Sequence, residues 1–120
     1  MSVLITGGAG YIGSHTVVEL LKAGQEVVIV DNYSNSKPEV LNRIETITGN
    51  TPTFYEVDVL DREALDAVFS KETIDSVIHF AGYKAVGESV AKPIEYYHNN
   101  ITSSLVLCDV MRSHGVKKIV

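Results

Sequence analysis

Short apolar runs and longer segments of helical spacing alternate along the whole chain. The apolar runs predict five strands, the last of them only beginning where the sequence stops, at residues 3–6, 27–30, 53–57, 77–81 and 118–120. The run at 27–30 is VVIV, an unbroken β-branched segment that is typical of a strand covered on both faces.

The segments between the strands repeat apolar residues every three or four positions. They predict helices at residues 12–23, from about 36 to 48, 61–71 and 93–113. Predicted starts are the Ser36–Glu39 capping box, the Asp61 N-cap and Pro93. Predicted stops are Gly24, Gly49 and Gly115. The last helix carries an apolar stripe formed by Ile94, Tyr97, Ile101, Leu105 and Cys108.

This alternation of strands and helices predicts an α/β fold. The expected architecture is a Rossmann-type, doubly wound parallel sheet that is truncated at its fifth strand. Such sheets bind ligands at the carboxyl ends of their strands. We therefore expect the functional residues to lie in the turns that follow the strands.

The first of these turns is rich in glycine and reads ITGGAGYIGSH. Gly8 and Gly13 have the spacing of a P-loop, but Ser14 stands where that motif has its lysine, which disfavours a nucleotide triphosphatase. Two dinucleotide-binding patterns remain open. One starts at Gly8 and the other at Gly7, and both continue through Gly10 and Gly13.

Both dinucleotide patterns serve the same chemistry. Their glycines allow a tight turn, a close approach of backbone to a pyrophosphate, and close packing of helix on strand. The N–H groups and the dipole at the helix start then hold the diphosphate without a cation. Because the motif follows a strand and opens a helix, it predicts a bound ligand rather than a bare turn.

The second turn supplies an acid. Asp31 directly follows the second strand, 18 residues after Gly13. An acid at this distance accepts hydrogen bonds from the adenosine ribose and repels a 2′-phosphate, which favours NAD over NADP. Residues 32–36, NYSNS, offer polar groups around the same ribose. Tyr33 and Lys37 form Tyr-x-x-x-Lys, but they lie in a loop at the adenine end, so we assign them no catalytic role.

Composition narrows the class of protein. The 120 residues are 45% hydrophobic and contain neither a membrane-spanning run nor a secretory signal, so a soluble domain is expected. Cys108 is the only cysteine, which suits a reducing, cytoplasmic location. The net charge of −5 argues against nucleic acid. The four histidines lack metal-ligand spacing, and His79 is predicted to be a packed core residue rather than a base.

Four segments carry a resemblance that covers the whole chain. TGGAGYIGSHTVVELL resembles the extended short-chain dehydrogenase/reductase family. VDNYSNSKP, DSVIHFAGYKAVGESVAKP and YYHNN are similar to the UDP-hexose 4-epimerases within that family. The resemblance implies that residues 1–120 are the N-terminal part of an NAD-binding Rossmann domain, and that the substrate domain is absent from this chain.

The resemblance also implies a set of contact residues. Pyrophosphate contacts would be Gly7, Gly10, Tyr11, Ile12 and Gly13. Adenosine ribose contacts would be Asp31, Asn32, Tyr33, Ser34, Asn35 and Ser36, and the adenine contacts Asp58 and Val59. Further cofactor contacts would be Phe80, Ala81, Gly82, Tyr83, Lys84 and Asn99, although the family often has leucine at Tyr83. Substrate contacts would be Lys84, Ala85 and Val86.

The activity implied is reversible inversion at C4 of UDP-glucose and UDP-galactose through a 4-keto intermediate. NAD would be the cofactor and the complete enzyme a homodimer. The family's catalytic Ser/Thr and Tyr-x-x-x-Lys lie beyond Val120, so no catalytic residue is assigned. We expect the isolated chain to be inactive, to bind NAD weakly or not at all, and to expose a sticky sheet edge. The alternatives are a sugar-nucleotide dehydratase or decarboxylase of the same family, and a non-catalytic NAD-binding module.

Overall fold

The computed structural model describes residues 2–32, 39–81 and 90–120. Within these ranges the strands are β1 (Ser2–Thr6), β2 (Glu26–Asp31), β3 (Thr53–Glu56), β4 (Ile74–His79) and β5 (Lys118–Ile119). The helices are α1 (Tyr11–Lys22), α2 (Glu39–Thr48), α3 (Arg62–Lys71) and α4 (Pro93–Ser113). The predicted strands and helices are therefore confirmed, with boundaries that shift by a few residues.

The strands form one sheet in the order β3-β2-β1-β4-β5, and every neighbouring pair is parallel. The chain moves outward from β1 to β2 and β3, then returns to the other side of β1 for β4 and β5. This reversal of direction beside β1 is the feature that opens a ligand crevice in doubly wound sheets. The predicted fold class is confirmed.

Helices cover both faces of the sheet, and β2 shows how the sequence encodes this. Val28 and Val30 belong to the apolar cluster formed with α3 and α4. Val27 and Ile29 belong to the cluster formed with α1 and α2. Because successive side chains of a strand point to opposite faces, an unbroken apolar run is what a strand with two covered faces requires.

The boundary that was predicted least well is that of β4. The strand begins three residues earlier than expected and ends two residues earlier, at His79. Its register against β1 shifts between Ser2 and Val3, so Asp75 is an extra residue in β4, as in a β-bulge. The polar residues at 75–76 interrupt the apolar pattern and concealed the start of the strand.

The predicted helix ends can be checked at several places. The Asp61 carboxylate accepts the Ala64 N–H at 3.2 Å, which confirms it as the N-cap of α3. Pro93 opens α4 as predicted. The predicted cap of α2, Ser36, lies outside the described residues. All three predicted stops have positive φ: Gly24, Gly49 and Gly115.

Helix α4 presents two different faces. It packs against the rest of the molecule through Tyr96, Ser103, Leu107, Val110 and Met111. The apolar stripe noted in the sequence lies on the other side, where it is exposed. We refer to these residues as the α4 stripe: Ile94, Tyr97, Ile101, Leu105 and Cys108.

Strand β5 forms the outer edge of the described sheet. It pairs with β4 on one side only, and both of its residues are exposed. The exposed edge expected from the sequence is therefore present among the described residues. Its tendency to associate with other molecules stays a prediction.

A hydrogen bond joins β3 to the end of α3. The Tyr55 hydroxyl donates to the Glu72 carboxylate at 2.9 Å. This hydrogen bond, together with burial and the charge of Glu72, raises the pKa of Tyr55 above its usual value of 10.0. A raised folded-state pKa adds stability that is present below the unfolded-state pKa and is lost as pH rises through the folded-state pKa.

We predict that replacing Tyr55 with phenylalanine removes this pH dependence. At neutral pH the variant should lose less than about 1 kcal/mol, because the hydrogen bond is partly exposed. Above about pH 10, urea denaturation should show the wild-type protein losing stability more steeply than Tyr55→Phe. Parallel curves for the two proteins in this range would contradict the prediction.

Candidate functional site

The turn between β1 and α1 is closed by its own backbone. Gly7 has a φ of 70°, which side chains rarely allow, and its carbonyl accepts the Gly10 N–H at 3.0 Å. Gly10 is the N-cap residue of α1, and none of the described side chains caps this helix. Because the first N–H groups of a helix lack intrahelical partners, those of α1 are donors facing out of the turn.

Close approaches show which glycines this turn requires. A Cβ on Gly13 would lie 2.2 Å from the Gly7 carbonyl oxygen, and a Cβ on Gly7 would lie 2.8 Å from the Ala81 backbone nitrogen. A Cβ on Gly8 would instead meet the Ile29 side chain at 2.8 Å. Backbone cannot rotate aside as a side chain does. The structure therefore favours the dinucleotide pattern that starts at Gly7 over the one that starts at Gly8.

Asp31 ends β2 next to this turn. Its side chain is buried, and Oδ2 accepts the Ala9 N–H at 3.1 Å. One oxygen of the predicted ribose acceptor therefore also holds the glycine turn in place. No sequence pattern indicates this contact, because Ala9 contributes only its backbone.

The ends of β2 and β3 are joined by two predicted site residues. The Asn32 side-chain amide donates to Asp58 Oδ2 at 3.2 Å, and Asp58 Oδ1 accepts the Leu60 N–H at 2.9 Å. Val59 is only 5% exposed and belongs to the core cluster beneath α3 and α4. Most of its surface is thus used by the core, and its packing against an adenine ring stays a prediction.

The chain leaves β4 close to the glycine turn. The Phe80 N–H donates to the Thr6 carbonyl at 3.0 Å, and the Ala81 N–H donates to Thr6 Oγ1 at 3.2 Å. Both residues are half-buried, as is Asn99 on α4. Thr6 was not predicted as a site residue; its only signal was a hydroxyl at the end of an apolar strand before a glycine.

Other predicted site residues lie outside the described residues. Those after β2 are Tyr33, Ser34, Asn35 and Ser36, followed by Lys37 of the rejected Tyr-x-x-x-Lys pair. Those after β4 are Gly82, Tyr83, Lys84, Ala85 and Val86.

Contacts between neighbouring loops make the carboxyl edge of the sheet continuous. Asn32 ties the end of β2 to that of β3, Asp31 ties β2 to the glycine turn, and Gly7 lies against Ala81 after β4. We call this edge the rim. It offers backbone N–H donors in the middle and carboxylates toward β3. An elongated ligand with a central diphosphate and a hydroxyl-bearing arm suits this arrangement.

A separate cavity of about 340 Å³ lies at the opposite, amino-terminal edge of the sheet. Ser2, Glu26 and Glu72 are among its lining residues. None of the predicted site residues lines it. In sheets of this type ligands bind at the carboxyl edge, so the rim remains the candidate site.

His79 differs from its predicted environment. It is half-buried at the end of β4, and its ring lies between the hydroxyls of Thr6 and Ser104. It is thus held by hydrogen bonds rather than by apolar packing alone. In the part of the chain that the structure describes, no group of three or more potential metal ligands comes together. Nor does any described helix have the length and apolar character of a membrane span.

Known proteins resemble this chain over nearly its whole length. The chain is 63% identical to the UDP-glucose 4-epimerase of Bacillus subtilis (strain 168) over 120 residues, which cover all of this chain and 35% of that protein. It is 60% identical to the Haemophilus influenzae enzyme of the same name over 116 residues, or 97% of this chain and 34% of that protein. The chain therefore spans about a third of the length of these curated relatives.

Solved structures give the same picture. The UDP-glucose 4-epimerase from Bifidobacterium longum, in complex with NAD+ and UDP, superposes with a TM-score of 0.97 at 58% identity. That match covers 99% of this chain and 36% of the other. The Stenotrophomonas maltophila enzyme, with NAD and formylated UDP-arabinopyranose, gives 0.96 at 47% identity over 99% of this chain and 35% of that one. The family described as "NAD dependent epimerase/dehydratase family" matches residues 3–120, and the chain belongs to this family.

Proposed function

We propose that this chain is the NAD-binding part of a UDP-glucose 4-epimerase, an isomerase that interconverts UDP-glucose and UDP-galactose through a 4-keto intermediate. The observation that carries the proposal is the rim, where a helix start that none of the described side chains caps meets a glycine turn beside a buried acid. The choice of substrate is supported by the similarity to UDP-glucose 4-epimerases over the whole chain. NAD, when bound, would supply the acceptor for the hydride removed from C4.

The glycine turn suits a diphosphate for electrostatic and steric reasons. The first turn of α1 contains no acidic residue that would repel a phosphate. Tyr11 and Ile12 are largely exposed, and as the first residues of α1 their backbone N–H groups have no acceptor within the helix. We assign the binding of the pyrophosphate to the N–H groups of Tyr11, Ile12 and Gly13, beside the backbone of Gly10, whose own N–H is bound to the Gly7 carbonyl.

The two arms of the dinucleotide would lie on opposite sides of β1. Asp31 and Asn32, at the end of β2, would bind the adenosine ribose, and the Asp31 carboxylate would favour NAD over NADP. The loop after β4, on the other side of β1, would hold the nicotinamide end. We propose that Lys84 lies there, with Ala85 and Val86 near the sugar nucleotide. We assign no acid–base step to these 120 residues.

The proposal is tested on the full-length protein that contains this chain. Conversion of UDP-galactose to UDP-glucose, followed by proton NMR, should occur, and NAD should be found in the purified protein. The isolated 120 residues should show no turnover. Dehydration or decarboxylation of the sugar nucleotide would support the alternative enzymes of the family. Binding of NAD without turnover of any UDP-sugar would support a binding module.

We further propose that the full protein is a homodimer that associates through the α4 stripe. The stripe residues follow one another at intervals of three and four positions, the spacing of a seam between packed helices. The same face on two copies of the protein can pair around a two-fold axis.

The single cysteine, Cys108, is free, which supports our proposal of a cytoplasmic location.

We predict that Leu105→Glu weakens this dimer. A charge buried in an apolar seam without a partner should raise the dissociation constant at least about tenfold. The measurement is light scattering of the full-length protein over a dilution series. Thr102→Glu adds the same charge about a quarter turn away from the stripe and should leave the dimer intact. A wild-type monomer would show that another part of the protein covers the stripe and would contradict the proposal.

A further inference from the structure

We infer that a directional hydrogen-bond chain from α4 to β1 holds the backbone of Ala81 against the glycine turn, with His79 as the central positioning residue. Only its effect on the cofactor rests on the proposed function. The chain runs through Asn100, Ser104, His79, Thr6 and Ala81.

At the α4 end, the direction of the hydrogen bond between Ser104 and His79 can be assigned. The Ser104 hydroxyl donates its single hydrogen to the Asn100 carbonyl at 2.9 Å. The Ser104 oxygen also lies 3.3 Å from Nε2 of His79. Because its only hydrogen is already donated, this oxygen must accept a hydrogen bond from Nε2. It follows that Nε2 of His79 carries a hydrogen.

At the β1 end, the direction of the hydrogen bond between Thr6 and His79 can be assigned independently. A backbone N–H can only donate, so Thr6 Oγ1 accepts from Ala81 at 3.2 Å. The Thr6 hydroxyl hydrogen is then available for His79 Nδ1, which lies 2.5 Å away. Thr6 is fully buried, so water offers this hydrogen no alternative. Both ends assign the same neutral tautomer of His79, with hydrogen on Nε2 and none on Nδ1.

Thr6 connects these hydrogen bonds to the rim by holding the backbone that follows β4. The Thr6 carbonyl accepts the Phe80 N–H at 3.0 Å while its hydroxyl oxygen accepts the Ala81 N–H, so one residue holds both positions. Because His79 takes the hydroxyl hydrogen, the oxygen lone pairs remain directed at Ala81. The Ala81 nitrogen lies 2.8 Å from where a Cβ on Gly7 would stand, so the Ala81 backbone lies directly against the glycine turn.

The tautomer is tested first, by nitrogen NMR of the full-length protein labelled at histidine. The His79 signals are assigned by their loss in a His79→Gln variant. We expect the pattern of a protonated Nε2 and an unprotonated Nδ1. A protonated Nδ1 in the wild-type protein would overturn the inference.

The positioning role is tested by removing the Thr6 hydroxyl. Thr6→Val keeps the shape of the side chain but leaves the half-buried Ala81 N–H without its acceptor. We expect amide exchange at Ala81 and the NAD dissociation constant each to rise about tenfold. Thr6→Ser restores the hydroxyl and should restore both values. Thr46→Val, which removes an exposed helix hydroxyl, is the matched control.

A second variant covers the case in which Thr6→Val does not fold. Ser104→Ala leaves the Ala81 contact untouched but removes the acceptor for His79 Nε2, so a mixture of tautomers and faster Ala81 exchange are expected. Wild-type exchange at Ala81 in either folded variant would overturn the inference. If the full-length protein binds no NAD, the proposed function fails, while the tautomer and exchange measurements still decide the positioning role.

Discussion

A Gly13→Ala variant is expected to lose NAD binding and to lower the free energy of unfolding by about 2–3 kcal/mol. The added Cβ would lie 2.2 Å from the Gly7 carbonyl oxygen and 3.0 Å from the Cα of Gly8. Both are backbone atoms, so the turn itself must shift. Helix propensity alone predicts the opposite sign, because alanine inside a helix is about 1 kcal/mol better than glycine. The gain in helix propensity is too small to offset the cost of this close contact.

Gly10→Ala is the matched control for this variant. Among the described residues its Cβ would meet only the Gly7 carbonyl oxygen, at 3.2 Å, a distance that a small adjustment relieves. Urea denaturation of the full-length protein should therefore place Gly10→Ala much closer to wild type than Gly13→Ala. The comparison concerns stability alone, because Gly10 itself belongs to the proposed pyrophosphate site. A Gly13→Ala protein as stable as wild type would show that helix propensity outweighs the close contact.

The fold could be predicted from sequence wherever the signal is local. The alternation of Val27–Val30 between the two core clusters follows from β geometry alone, and the Gly13 position follows from the spacing of the glycine motif. The start of β4 could not be predicted, because Asp75 is accommodated by a register shift against β1. Such a shift depends on the partner strand, which a pattern along one segment does not contain.

The two faces of α4 show a second limit of sequence reasoning. An apolar stripe normally marks the face that packs against the core. In α4 the packed face instead includes Ser103 together with Leu107 and Met111, while Ile101 and Leu105 are exposed. Periodicity predicts that a helix forms and that it has an apolar face. It does not determine which neighbour covers that face.

The candidate site was predictable where side chains carry the chemistry, as with Asp31 at the end of β2. Contacts made through backbone atoms or through distant elements were not. The N–H of Ala9 and the Ser104 hydroxyl on α4 reach the rim only once the fold is formed. Side-chain motifs can reveal candidate ligands, whereas the groups that hold those ligands in place depend on tertiary structure.

Asp31→Ala is expected to destabilise the protein even without cofactor. The carboxylate is buried and accepts the Ala9 N–H at 3.1 Å, so its removal leaves a buried donor without a partner. An orphaned buried donor costs about 1–3 kcal/mol, and urea denaturation in the absence of NAD should show a loss of this size. NAD binding should weaken as well, since the glycine turn loses its tie to β2.

Asp31→Asn separates the structural role from the electrostatic one. The amide oxygen can still accept from Ala9, so stability should stay within about 1 kcal/mol of wild type. The charge that repels a 2′-phosphate is lost, so the ratio of NADP to NAD dissociation constants should fall by about tenfold. If Asp31→Asn keeps the wild-type preference for NAD, Asp31 acts only through its hydrogen bond to the glycine turn. If Asp31→Ala is as stable as wild type, the bond to Ala9 contributes nothing, and the electrostatic role alone remains.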